Sequence, residues 1–238
     1  MLTSLITLAI AMTPAPSPGV IVPMYGDVDR MWRRLAAAPP TRPTTAIANL
    51  GNGPGTSRDP QRAELLERAR AAGIHVVGYV YTRYGRRPLA RVRRDVARWE
   101  QWYGVDGIFV DNVASTRPRN FAYYRSVSRT IRGSRGRLVV MNGWATADYM
   151  KLTDVLLMFE GNLAGFRRVR LPEWTRSFDA SRFASIVYGV PGSAAMRTVL
   201  DDSAARNVGT VYVTDRRRPH PYRSLSGFLG SLIGSTPR

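Results

Sequence analysis

The feature that most constrains this chain is an alternation. Eight short apolar runs, rich in β-branched and aromatic residues, recur with polar, helix-like stretches between them. The runs cover residues 19–25, 45–49, 75–81, 107–111, 138–142, 155–160, 184–189 and 210–215. Their apolar character is nearly continuous, as in Ile74-His75-Val76-Val77-Gly78-Tyr79-Val80, which is the pattern of strands covered on both faces rather than one. Helices are predicted over 61–72, 87–103, 120–132, 194–207 and 224–233. Asp59 and Pro60 supply an N-cap and a first-turn proline to the first of these, and Gly73 stands at its end. The stretch 148–152 holds no more than a turn or two, so the fifth crossover is predicted to be shortened. The sixth, 162–182, reads as irregular, with Pro172 inside it. Eight β-α units in one uninterrupted stretch, residues 19–238, specify a single (β/α)8 TIM barrel. A doubly wound open sheet is the alternative, but no Gly-rich phosphate loop follows the first strand. Gly51-Asn52-Gly53-Pro54-Gly55 follows the second; it contains a proline and lacks the Lys-Ser/Thr ending, so it reads as a turn-rich loop.

Composition narrows the chemistry. The 238 residues include no cysteine and two histidines, His75 and His220. Thiolate nucleophiles, disulfides, Cys-type zinc sites and His-based triads are therefore not expected, and no metal or cofactor is called for. The net charge is +18, carried by 34 arginines and one lysine, Lys151. The arginines are spread from Arg30 to Arg238, with one tight run at 216–218 and no nucleic-acid motif, so a composition bias is a better reading than nucleic-acid binding. Residues 1–18 resemble an export signal and a Pro-rich spacer: an apolar run from Leu2 to Ala11, Ala9-Ile10-Ala11 as a small-x-small cleavage pattern, and no Lys or Arg before Arg30. The run is too short to span a bilayer as a helix. A secreted or cell-surface monomer without a membrane span is the expectation; a buried or frayed N-terminal segment is the alternative.

In a barrel of this type, chemistry sits at the C-terminal ends of the strands. Those ends supply Tyr25, Asp27, Asn49, Tyr81, Asp111, Asn112, Asn142, Glu160, Tyr188 and Asp215. Of five glutamates, Glu160 alone closes a strand-like run, and Asp111 closes another. A carboxylate at the end of a buried run requires solvent or partners. Each has a plainer reading. Asp111 would serve as a helix cap or turn former, Glu160 as an arginine partner, Asp215 as an ion pair with the arginines after it, and Asn49 and Asn142 as supports of loop backbone. Tyr25, Tyr79, Tyr81, Tyr84 and Trp144 would either pave a sugar-stacking cleft or pack at the rim. Two carboxylates with amides and aromatics, and no metal ligands, suit glycosidic cleavage.

Several strings carry a resemblance. Gly19-Val20-Ile21-Val22-Pro23-Met24-Tyr25, Asn49-Leu50-Gly51-Asn52-Gly53-Pro54-Gly55, Gly78-Tyr79-Val80-Tyr81-Thr82-Arg83-Tyr84-Gly85, the segment 102–111, Phe159-Glu160 and Val211-Tyr212-Val213-Thr214-Asp215 are similar, in order, to the spherulation-specific family 4 proteins. The resemblance implies a (β/α)8 glycoside hydrolase, with members acting as endo-α-1,4-N-acetylgalactosaminidases on exopolysaccharide such as galactosaminogalactan. It implies that Asp111 is the strand-four catalytic carboxylate and Glu160 the strand-six one. The family pattern continues Asp-Glu where this chain has Asp111-Asn112; the related endo-α-1,4-polygalactosaminidases resemble it in having Asp-Asn. The expectation is a secreted endo-acting hydrolase of polysaccharide, with Asp111 as nucleophile or charge stabiliser and Glu160 as general acid/base. Tyr25, Asp27, Asn49, Tyr81, Asn112, Asn142, Tyr188 and Asp215 would hold the sugar. A non-catalytic carbohydrate-binding barrel at the cell surface is the alternative, and an anionic-polymer binder a third reading. A partly deacetylated galactosamine polymer is cationic, and a +18 protein repels it at long range. Either Asp27, Asp111, Glu160 and Asp215 make the cleft locally acidic, or the substrate is neutral or anionic.

Overall fold

Eight strands run parallel and in sequence order. They are β1 (Val20–Met24), β2 (Thr44–Ala48), β3 (His75–Tyr81), β4 (Gly107–Asp111), β5 (Leu138–Asn142), β6 (Val155–Asn162), β7 (Phe183–Tyr188) and β8 (Thr210–Thr214). The computed structural model describes residues 18–26, 28–115, 118–133 and 137–235, so the signal-like segment and Asp27 lie outside the described residues. The two ends of the sheet meet. Gly19 bridges Thr210, its N–H donating to the Gly209 carbonyl at 2.8 Å and its carbonyl accepting from Val211 at 2.9 Å. The expected barrel is the observed one.

Helices form the outer ring: α1 (Val28–Ala36), α2 (Pro60–Ala71), α3 (Leu89–Tyr103), α4 (Pro118–Arg132), α5 (Leu163–Arg168), α6 (Gly192–Ala205) and α7 (Leu229–Ile233). Asp59 caps α2 as expected, its carboxylate accepting from the Arg62 N–H at 3.1 Å. The packing of helix on sheet is tight enough to dictate residue size. A Cβ at Gly78 of β3 would stand 2.4 Å from the Trp99 indole of α3, and that indole donates to the Tyr79 carbonyl at 2.9 Å. Strand residues such as Val76, Val77 and Val80 are wholly buried, which is why the apolar runs show no polar alternation.

Two elements differ from expectation, and the shortened fifth crossover matches it. The sequence predicts no helix between the first two strands, yet α1 forms there, burying Met31, Trp32 and Leu35 on one face. The helix expected over 224–233 is confined to Leu229–Ile233, because the preceding residues are tied to the barrel mouth. There the Ser226 N–H donates to the Tyr212 hydroxyl at 3.0 Å and the Gly227 N–H to Asp215 at 2.9 Å. The fifth crossover is a 3-10 turn, Ala147–Lys151, whose Lys151 side chain is 78% exposed. Among the described residues no helix is long and apolar enough to cross a membrane.

Candidate active site

Asp111 and Glu160 come together at the C-terminal mouth through a single amide. The Nδ2 of Asn142, the last residue of β5, donates to Asp111 Oδ1 at 2.9 Å and to Glu160 Oε2 at 3.0 Å. The two carboxylate oxygens are thus no further apart than the combined length of those bonds, 5.9 Å. With the two N–H directions of an amide roughly 120° apart, the gap is about 5 Å.

Each carboxylate has further donors. Asp111 Oδ2 accepts from the Tyr79 hydroxyl at 2.6 Å and from Asn112 Nδ2 at 2.8 Å, so three donors fix its orientation. Asn112 has φ 57°, the left-handed region that asparagine enters more readily than most residues. Its carbonyl accepts from the Tyr84 N–H at 2.9 Å and from the Thr82 and Tyr124 hydroxyls at 2.9 and 3.1 Å, locking the turn that aims Asp111. Glu160 Oε1 accepts from the Tyr222 hydroxyl at 2.8 Å. Strand β6 changes register against β7 between Leu157 and Phe159; such a bulge re-aims the side chains beyond it and here brings Glu160 to the mouth.

Glu160 keeps surface open to the cleft while protein closes round its carboxyl. That burial, reinforced by the negative charge of Asp111, raises its pKa, against the bonds from Tyr222 and Asn142 and the charge of Arg218. Tyr79 and Tyr222 are pushed well above ordinary phenols, first by burial and then by the charge of the carboxylate each one touches. They remain protonated donors. Tyr25 is raised by burial and by both carboxylates, and its ring meets Tyr79 and Tyr222 edge-on at 5.9 and 5.8 Å. Tyr188 meets Tyr222 at 6.5 Å. Tyr25, Glu160, Tyr188, Tyr222 and Arg218 border a cleft of about 630 Å³. Asp111 and Asn142 adjoin this cleft through the hydrogen bond from Asn142 to Glu160 and do not line it themselves.

Not every strand-end residue joins this cluster. Asn49 Oδ1 accepts from the Gly53 N–H at 3.0 Å and the Gly51 N–H at 3.5 Å, stapling its own loop. Asp215 accepts from Gly227 and pairs with Arg216 at 3.6 Å; its contacts organise the loop that carries Tyr222. Tyr81 is half-buried beside Asp111 in register. Tyr84 and Trp144, 54% and 53% exposed, stand on the loops after β3 and β5. Strand-end position in the sequence does not mark Tyr222 and Arg218 as site residues. They lie in an aperiodic loop, and the available signal was chemical: a tyrosine and an arginine flanking Pro219-His220-Pro221 just past the last strand.

The fold and this constellation define a class, a parallel barrel with paired carboxylates at its mouth. The chain belongs to spherulation-specific family 4, whose family model matches residues 19–235. Spherulin-4 of Physarum polycephalum is 27% identical over 209 residues, which make up 82% of this chain and 63% of that protein. The chain therefore spans less than two thirds of that relative. Among solved structures, Sph3 of Aspergillus clavatus in complex with GalNAc superposes with TM-score 0.79 at 20% identity, covering 92% of this chain and 97% of the other. An endo-beta-N-acetylglucosaminidase from Cordyceps militaris does so with TM-score 0.58 at 10% identity, covering 91% and 89%.

Proposed function

We propose that the protein is a secreted or cell-surface endo-acting glycoside hydrolase cleaving an α-linked polysaccharide that contains N-acetylgalactosamine. One observation carries the reading: the Asn142 amide holds Asp111 and Glu160 within 5.9 Å of each other. Glycosidic cleavage needs one carboxyl protonated and another charged, on either side of the anomeric carbon. Glu160, its carboxyl raised by burial, is the proton donor to the leaving oxygen. Asp111, oriented by Tyr79, Asn112 and Asn142, attacks the anomeric carbon or stabilises its developing charge. The short separation favours double displacement with retention, since inversion needs roughly 6.5–9.5 Å to admit water between the carboxyls. Family membership and the GalNAc complex of Sph3 support the sugar assignment.

Purified protein incubated with a panel of microbial exopolysaccharides, with fragments analysed by mass spectrometry and the new reducing end by proton NMR, tests this reading. Fragments with α configuration are expected from wild type. Asp111→Asn and Glu160→Gln should keep the fold, within about 1–2 kcal/mol, and lose at least roughly 10²–10⁴ in turnover. Binding without fragments from any member of the panel replaces the hydrolase with a carbohydrate-binding barrel.

A further inference from the structure

Part of the +18 charge is arranged round the cleft. Strand β8 is followed by Arg216, Arg217 and Arg218, and Arg223 comes directly after Tyr222. These four fan out. Arg218 and Arg223 line the cleft beside Glu160. Arg217 and Arg218, with Arg167 of α5, line a neighbouring hollow of about 500 Å³. Arg216 and Arg223, with Arg34 of α1, line a third of about 190 Å³. Tyr188 is shared by the first two hollows and Arg223 by the first and third, so the three form one band along the mouth.

Arg218 is held in place. Its Nε donates to the Tyr188 hydroxyl at 2.9 Å, and its guanidinium lies 5.9 Å from the centre of that ring. Among the described residues lining the three hollows, Glu160 is the one carboxylate. Asp215 offsets Arg216 at 3.6 Å. The band therefore presents guanidinium forks beside the general acid. Such forks match carboxylates two bonds at a time, whereas free ammonium groups on a sugar are repelled there.

We propose that this band is a subsite for carboxylate-bearing sugars, so that the glycan cleaved at Glu160 is acidic on the residues flanking the scissile bond. The proposal deepens the hydrolase reading and rests on it. It answers the charge conflict by the nature of the substrate and not by local acidity of the cleft.

One backbone, prepared in three charge states, tests it. A partly deacetylated α-1,4-galactosamine polymer is used with its amines left free, re-acetylated, or converted to N-succinyl groups, and binding and cleavage are both measured. The succinylated form should bind roughly ten- to hundredfold more tightly than the acetylated one, and the free-amine form more weakly than either. Arg217→Gln/Arg218→Gln/Arg223→Gln should abolish that preference, and Arg217→Gln alone should reduce it. Arg91→Gln/Arg93→Gln/Arg129→Gln, on the exposed faces of α3 and α4, should leave it intact. Equal binding of succinylated and acetylated polymer, or equal loss from the α3–α4 variant, overturns the subsite; cleavage of the acetylated polymer then leaves the hydrolase standing. Single-stranded DNA competing as well as the succinylated polymer also overturns it, making the band a general polyanion contact. Binding and cleavage of none of the three overturns both readings.

Discussion

Asp111→Asn isolates the coupling between the two carboxylates. Burial is the first cause of the raised Glu160 pKa, and the charge of Asp111 adds to it. Taking the limiting separation of 5.9 Å, the repulsion is about 0.7 kcal/mol in water and about 3 kcal/mol at an effective dielectric of ~20. Glu160 opens to the cleft, so about 1 kcal/mol is expected, and ordinary salt screens little of it at this distance. The Glu160 titration midpoint should fall in the variant while staying above that of an ordinary glutamate. The sign for stability follows. A carboxyl raised in the folded state makes the native protein bind more protons than the unfolded chain, so stability declines as pH rises past the ordinary carboxylate range. Removing Asp111 relieves part of that decline. Carbon-13 NMR of the side-chain carboxyls reads the midpoint directly. The chain has five glutamates, and Glu160→Gln assigns the one signal that matters. A midpoint that stays put or rises refutes the coupling; one that falls to the ordinary value refutes the primacy of burial.

Other perturbations read the same site and its support. Tyr222→Phe removes a hydrogen bond that holds the Glu160 carboxyl down, so its midpoint should rise and the basic limb of the pH–rate profile should move to higher pH; a downward move contradicts the assignment. Gly78→Ala drives a methyl to within 2.4 Å of the Trp99 ring, and a loss of about 1–3 kcal/mol is expected in urea unfolding, with an unchanged midpoint excluding the close approach. Asn112→Glu restores the usual family dipeptide but places glutamate at φ 57° and removes a donor to Asp111. It should lower stability by about 1 kcal/mol and lower turnover as well, and an increase in turnover would show that the family pattern, not the local geometry, governs here.

The barrel was legible because strands buried on both faces leave continuous apolar runs, and the ends of those runs mark the mouth. Asp111, Asn142 and Glu160 could be placed there for that reason. The bulge in β6 could not, since a register shift shows only against the partner strand β7. Asn49 and Asp215 sit at strand ends like the others, but nearby glycine amides claim their oxygens: Gly51 and Gly53 for one, Gly227 for the other. Strand-end amides and carboxylates serve loops as readily as ligands, and chain position alone does not separate the two uses. Tyr222 escaped because its loop has no period, and only its folding back brings the hydroxyl to a carboxylate 62 residues away in sequence.

The shortened fifth crossover has a practical consequence. The one lysine, Lys151, stands exposed at its end, between the strand carrying Asn142 and the strand carrying Glu160. A lysine-specific protease meets a single peptide bond there. The cut divides the barrel into a five-stranded and a three-stranded fragment, with Asp111 on the first and Glu160 on the second. Neither fragment holds both carboxylates, so activity recovered on mixing would report that the two seams, β5 against β6 and β8 against β1, had closed again.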